Sequence, residues 1–227
     1  MSEHMDEFVK NTDLSQNKPM RDVIYESLRS TIINGKIPVG ERIIEKEYAD
    51  RLNISRTPIR EALKRLEIEE LVEYIPRYGV VVKRITKKDV IEVYKIRHSL
   101  EVLAAVSAMD NITPQEIQDI KDLLDLTELK NKEGKVEEVI ALFGKFNSKI
   151  YEASRMNRLA SMIGKLNEYL QRFRNISITD EMRRKEALME HREILQSIID
   201  KDKDRVDKLI KKHLDDSLEI VLKEIDE

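Results

Sequence analysis

Cysteine is absent from the chain, which excludes disulfides, thiol catalysis and thiolate metal sites and fits a cytoplasmic location. No run approaches the roughly 20 apolar residues needed to cross a bilayer. The opening Met1-Ser2-Glu3-His4 does not read as a signal peptide, so no membrane partner is expected. Glycine and proline are scarce, at six and five of 227 residues, and aromatics make up 5%. Few breakers favour helices, and few rings leave aliphatic side chains to fill the core. A large charge of either sign is missing too, the net being −3.

Hydrophobic residues make up 41% and charged residues 37% of the chain, a globular, helix-rich balance rather than a disordered one. Charge placement matters more than its total. Between Lys18 and Arg84 basic residues outnumber acidic ones by fourteen to eleven, and Ile54 to Arg65 holds Arg56, Arg60, Lys64 and Arg65 against Glu61 alone.

The first 18 or so residues read as a loose polar arm, His4 included. Val23, Ile24, Leu28, Ile32 and Ile33 then recur at helical spacing up to Gly35, and Ile37-Pro38-Val39-Gly40 is a turn. A short helix is predicted over Glu45 to Leu52, a tight turn at Asn53-Ile54, and a third helix N-capped by Ser55, with Ile59, Ala62, Leu63 and Leu66 buried. Leu71 to Ile75 and Val80 to Val82 read as strands around Pro76-Arg77-Tyr78-Gly79. Helix, helix, helix, hairpin is the order of a winged helix-turn-helix, expected over 18–84.

From Thr86 onward the pattern is helical, with segments expected at 87–109, 114–131, 135–154, 157–174, 180–200 and 203–225. Thr113 and Glu116 form a capping box beside Pro114, and Thr86 is a further N-cap. The fold class is therefore mostly α: a winged domain plus an all-α bundle of six helices over 87–225.

Two short helices joined by a tight turn let the second present its N-terminal end to the major groove. Arg56, Thr57 and Arg60 stand there; arginine can donate two bonds to guanine, and threonine can bond or touch a thymine methyl. Ser55 and the first amides can hold a phosphate. Arg29 and Lys46 are candidate backbone contacts, and Arg77, Tyr78 and Gly79 form a wing tip suited to the adjacent minor groove. The competing reading leaves these cations as solvated charge, with Glu61 pairing locally to Lys64 or Arg65.

Ile37 to Glu41, Ser55 to Leu66 and Arg77 to Val80 together resemble the signature of GntR-family regulators over about residues 20–83. That resemblance implies DNA contacts at Arg56, Thr57, Arg60, Lys46 and the Tyr78-Gly79 wing. Glu70 stands where the family commonly has glycine, which predicts a less sharply turned exit from the third helix.

In the second domain Arg97 and Glu101 lie four apart and can pair along one helix. His191 and His213 can converge if their helices are antiparallel neighbours, a point suited to zinc, nickel, iron or manganese. His98 points about 100° away from Arg97. Val90 to Glu101, Phe146 to Leu159 and the 191–214 pattern resemble the effector domain of the FadR subfamily. That resemblance implies a six- or seven-helix bundle that dimerises and holds a central cavity, often with a divalent metal held by one aspartate and three histidines and seating a small organic acid. His191 and His213 match two of those histidines, while Asn147 replaces the third and Phe143 the aspartate. The alternative is a metal-free pocket in which Arg97, Phe143, Asn147, His191, His213 and Arg172 or Arg174 receive an anionic or polar ligand.

The expected protein is a homodimeric regulator, a repressor by family habit, that reads an inverted repeat in double-stranded DNA under control of a small molecule. A metal-dependent carboxylate sensor and a non-catalytic interaction protein are the alternatives. Glu190 or Glu193 beside His191 could make an acid–base pair, but no nucleophile elbow, phosphate-cradling loop or full metal triad accompanies them, so no enzyme is expected.

Overall fold

The computed structural model describes residues 3–170, 178 and 180–225. The chain divides between Ile85 and Thr86 into two compact units.

The first unit begins with a helix, α1 (Glu3–Lys10), where the sequence suggested a loose arm. Met5, Phe8 and Val9 share one helical face within an otherwise charged segment, and one ring anchors it. Phe8 is fully buried, its ring 5.1 Å from that of Tyr48. Thr12 donates to the Phe8 carbonyl at 2.7 Å, Asp6 meets Arg51 at 2.5 Å, and His4 lies 3.4 Å from Glu41. Burying one phenyl group contributes about 1.5–3 kcal/mol, enough to fix a two-turn helix that could not persist alone.

Helix α2 (Met20–Ile33) lies against α4 (Arg56–Ile68), with α3 (Glu45–Leu52) beside them. The buried stripe of α4 is Ile59, Ala62, Leu63 and Leu66, as its spacing predicts. Asn53 takes a left-handed φ of 54° and lets α3 turn directly into α4. The sheet has three strands rather than a hairpin's two: β1 (Arg42–Ile43), β2 (Val72–Ile75) and β3 (Gly79–Val82), in the order β1-β3-β2, all antiparallel. Two residues are too few to show an alternating pattern, so β1 was not legible.

Glu70 does not blunt the exit from α4. It adopts φ 58° itself, while the Leu71 amide donates to the Leu66 carbonyl and the Glu70 amide to that of Glu67. These are the two bonds of a Schellman ending, made here without glycine. A 2.7 Å ion pair with Lys83 holds the side chain.

In the second unit the described residues form six helices: α5 (Lys87–Asn111), α6 (Pro114–Lys132), α7 (Val136–Ala153), α8 (Asn157–Tyr169), α9 (Glu181–Ile199) and α10 (Lys203–Glu224). Thr86 with Asp89 and Thr113 with Glu116 close reciprocal capping boxes that start α5 and α6. Helix α5 packs against α7, α8, α9 and α10. Its Ala104 meets Tyr151, Leu159 and Ile163 in a buried cluster. Small side chains there let neighbouring helices approach, so α5 becomes the axis around which the inward faces of α7, α9 and α10 converge.

Candidate DNA-reading surface and ligand cavity

At the start of α4, Ser55 occupies the N-cap position in extended conformation, but its side chain makes no capping bond. The expected hydroxyl cap is not formed, and the first-turn amides carry the positive end of the helix dipole without it. Arg56, Thr57, Arg60 and, on α3, Lys46 are all exposed. The Arg60 guanidinium is not loose: Nε donates to both oxygens of Glu45 at 3.1 Å, and Nη2 donates to Oε2 at 2.9 Å.

The wing tip is a turn closed by the Tyr78 amide on the Ile75 carbonyl at 3.0 Å. Arg77 sits at φ 66° and Gly79 at φ 111°, so backbone demand explains the glycine. Tyr78 is 49% exposed. Arg42, from the unforeseen β1, lies with its guanidinium 5.2 Å from the Tyr78 ring and would touch a Cβ at position 79 at 3.4 Å.

Arg29, a candidate phosphate contact, is drawn inward. Its Nε donates to Glu69 at 2.7 Å and its side chain is only 14% exposed. The Tyr25 hydroxyl donates to the same carboxylate, and burial followed by that bond pushes its pKa up to about 12. Arg65 stacks 3.6 Å from the Tyr25 ring and pairs with Asp22 at 2.5 Å, so its partner lies on α2 rather than at Glu61.

In the second unit Arg97, Phe143, Asn147, His191 and His213 line one small cavity of about 30 Å³, with Ile178, Arg183, Ala187, Leu214 and Ser217. Arg172 and Arg174 lie outside the described residues. A larger groove of about 530 Å³ shares Phe143, Asn147 and Ile178 with that cavity and runs along α7 and α8 past Gly144 and Gly164. His191 is stacked on Phe146 with centroids 4.2 Å apart, meets Phe143 edge-on at 4.9 Å, and lies 4.8 Å from the His213 ring. Arg97 is spent largely on Glu101, with Nε at 3.0 Å and Nη2 at 2.9 Å. His98 meets Asp207 at 3.0 Å.

The hub beneath the cavity is Glu190, which the sequence places beside His191. Its carboxylate instead accepts from Arg183 Nη2 at 2.9 Å, Lys212 Nζ at 2.9 Å and His213 Nδ1 at 2.7 Å. Burial would raise this carboxyl, but the bonds from His213, Arg183 and Lys212 outweigh it and hold the group well below the usual carboxylate range. An ionised carboxylate only accepts, so His213 carries its proton on Nδ1.

Residues 20–82 match the bacterial regulatory proteins of the gntR family, and residues 92–216 match the FCD domain. The chain belongs to the gntR family. It is a transcriptional regulator with an FCD-type second domain, not an enzyme. It is 30% identical over 216 residues to the HTH-type transcriptional regulator YdhC of Bacillus subtilis, covering 95% of each chain. To the HTH-type transcriptional repressor RspR of Escherichia coli it is 25% identical over 92% of each. Among solved structures, E. coli McbR/YncC shares the fold with a TM-score of 0.69 at 24% identity, over 91% of this chain and 99% of that one.

This gntR-family member does not offer the one-aspartate, three-histidine metal set. Phe143, in the aspartate's place, is buried against His191, and Phe146 covers another face of the same imidazole. Asn147 supplies a neutral amide, a weak donor to transition metals. Among the described residues no group of three or more histidine or acidic side chains is placed to hold a metal ion. The donor set does not fit a divalent metal.

Two features here have no local signature in the sequence. Arg42 had no strand to place it. Arg183, seven residues before Glu190 and two turns along the same face of α9, reads as ordinary surface charge.

Proposed function

We propose that the protein is a cytoplasmic, homodimeric repressor whose α4 helices read the half-sites of an inverted repeat, with release governed by a small molecule in the FCD cavity. The observation that carries this reading is the start of α4. Exposed Arg56, Thr57 and Arg60 surround a helix N-terminus whose N-cap side chain makes no capping bond, which is how base-edge and phosphate donors are presented together. Tyr78 and Arg77 at the wing tip, backed by Arg42, supply the minor-groove contact, and Lys46 a phosphate contact. Ser55 holds a phosphate with its hydroxyl. Arg29 contributes by bracing α2 on α4 through Glu69.

The effector in this reading is an organic acid bound without metal. The support is donor capacity: Arg183 is buried with only 8% of its side chain exposed, and its Nη1, 3.8 Å from Glu186, makes no hydrogen bond. The cavity of about 30 Å³ is water-sized, so the ligand requires Phe143 to swing aside and join it to the groove.

Duplexes recovered by the full-length protein from a random pool test the DNA reading. An inverted repeat is expected, bound by a dimer in sedimentation. Arg56→Ala should weaken specific binding by about 1–3 kcal/mol. Unchanged discrimination between the recovered duplex and a scrambled one removes Arg56 from the reading.

A further inference from the structure

We propose that Glu45 is a positioning residue for Arg60 that raises sequence discrimination at the expense of raw affinity. The proposal rests on the reading of α4 as the base-contacting helix.

The geometry is specific about which side of the guanidinium is used. Glu45 engages Nε and Nη2 of Arg60 at 2.9 to 3.1 Å, the side-on edge of the fork. Of the five N–H groups, Nε–H and one on Nη2 are taken. The end-on pair, from Nη1 and Nη2, remains. That pair is the one that can donate in parallel to guanine O6 and N7. A side chain with Arg60's exposure, 56%, would otherwise sample many rotamers and lose that freedom on binding. Glu45 sits at the first position of α3, fixed by the helix backbone, so the guanidinium is held by a rigid element rather than a loop.

The same carboxylate has a cost in affinity. Placed beside the base-reading end of α4, it faces the phosphate field and repels any duplex, matched or not. A correct guanine recovers the loss because Arg60 arrives pre-oriented; a wrong base does not. Glu45 therefore acts against the wrong partner as well as for the right one.

The structural alternative is that Glu45 is only a first-turn acid complementing the α3 dipole. Glu45→Gln keeps the volume and removes the charge, so the two roles separate in a cycle with Arg60→Ala. The probes are a duplex recovered from a random pool by the wild-type protein and a scrambled duplex of the same composition. Glu45→Gln should bind the scrambled duplex about twofold more tightly and lose about five- to tenfold in the ratio of specific to scrambled affinity. In the Arg60→Ala background the same substitution should leave that ratio unchanged within about twofold. An unchanged ratio for Glu45→Gln, while Arg60→Ala lowers it, overturns the proposal and leaves the DNA reading intact. Loss of equal size in both backgrounds assigns Glu45 to helix stability and also overturns it. If Arg60→Ala itself leaves the ratio unchanged, or no duplex is recovered, the reading of α4 fails and the proposal falls with it.

Discussion

Replacing Glu190 by glutamine tests whether the charged hub under the cavity holds the second unit together. The substitution is nearly isosteric, so it opens no void and isolates the charge. Arg183, with 8% of its side chain exposed, would be left facing a neutral amide. Removing one member of a buried ion pair costs about 3–5 kcal/mol, and the amide oxygen keeps one acceptor, so about 3 kcal/mol is expected. For a unit of this size that corresponds to a fall in Tm of about 10 °C. The pH dependence supplies the check. Glu190 is held below its ordinary value of 4.5 in the folded protein. Its stabilisation is therefore complete above about pH 4.5 and is lost as pH falls from there through the lower folded-state value. Calorimetry of wild-type and Glu190→Gln protein at pH 7 and in steps below 4.5 should show the gap narrowing on the acid side. A gap under about 1 kcal/mol at pH 7, or one that does not narrow in acid, refutes the reasoning.

Truncating Phe8 to alanine should destabilise the first unit by about 3–4 kcal/mol, read by urea unfolding; a loss under about 1 kcal/mol would mean α1 is not anchored by its ring. Glu70→Gly relieves a left-handed non-glycine residue while giving up the Lys83 ion pair, so a net gain of about 0.5–1 kcal/mol is expected in the same assay. A destabilised variant would show that the ion pair outweighs the backbone. The double variant Phe143→Asp with Asn147→His restores an anionic and an imidazole donor beside His191 and His213. It should bind zinc or nickel in calorimetric titration where the wild-type protein shows no saturable heat, and equal binding by both proteins would contradict the donor-set argument.

What the sequence disclosed depended on how local the cause was. The stripe of α4 and the capping box at Thr113 are set by residues three and four apart, and the structure shows both as read. The convergence of His191 and His213 followed from two helices joined by a short turn. Other features needed partners far along the chain. Arg29 looked like a phosphate contact because Glu69, its partner, is 40 residues away. The hub at Glu190 draws on positions 183, 212 and 213, and on a linear chain such charges default to the solvent face. Helix α1 was hidden for a different reason: one phenyl ring carries its docking, and the average polarity of the segment conceals a single anchor.

The imidazole of His191, stacked on one phenyl group and edge-on to another, makes the cavity its own spectroscopic reporter. Ring currents from Phe146 and Phe143 displace the carbon-bound protons of that imidazole from their ordinary resonance positions. Only four histidines occur in the chain, so the imidazole region of a proton–carbon spectrum holds few signals, and this one is set apart from the rest. A molecule that turns Phe143 aside changes the local magnetic field before it changes anything the DNA would feel. Occupancy of the cavity can thus be followed in the regulator alone, without knowledge of its operator and without an added label.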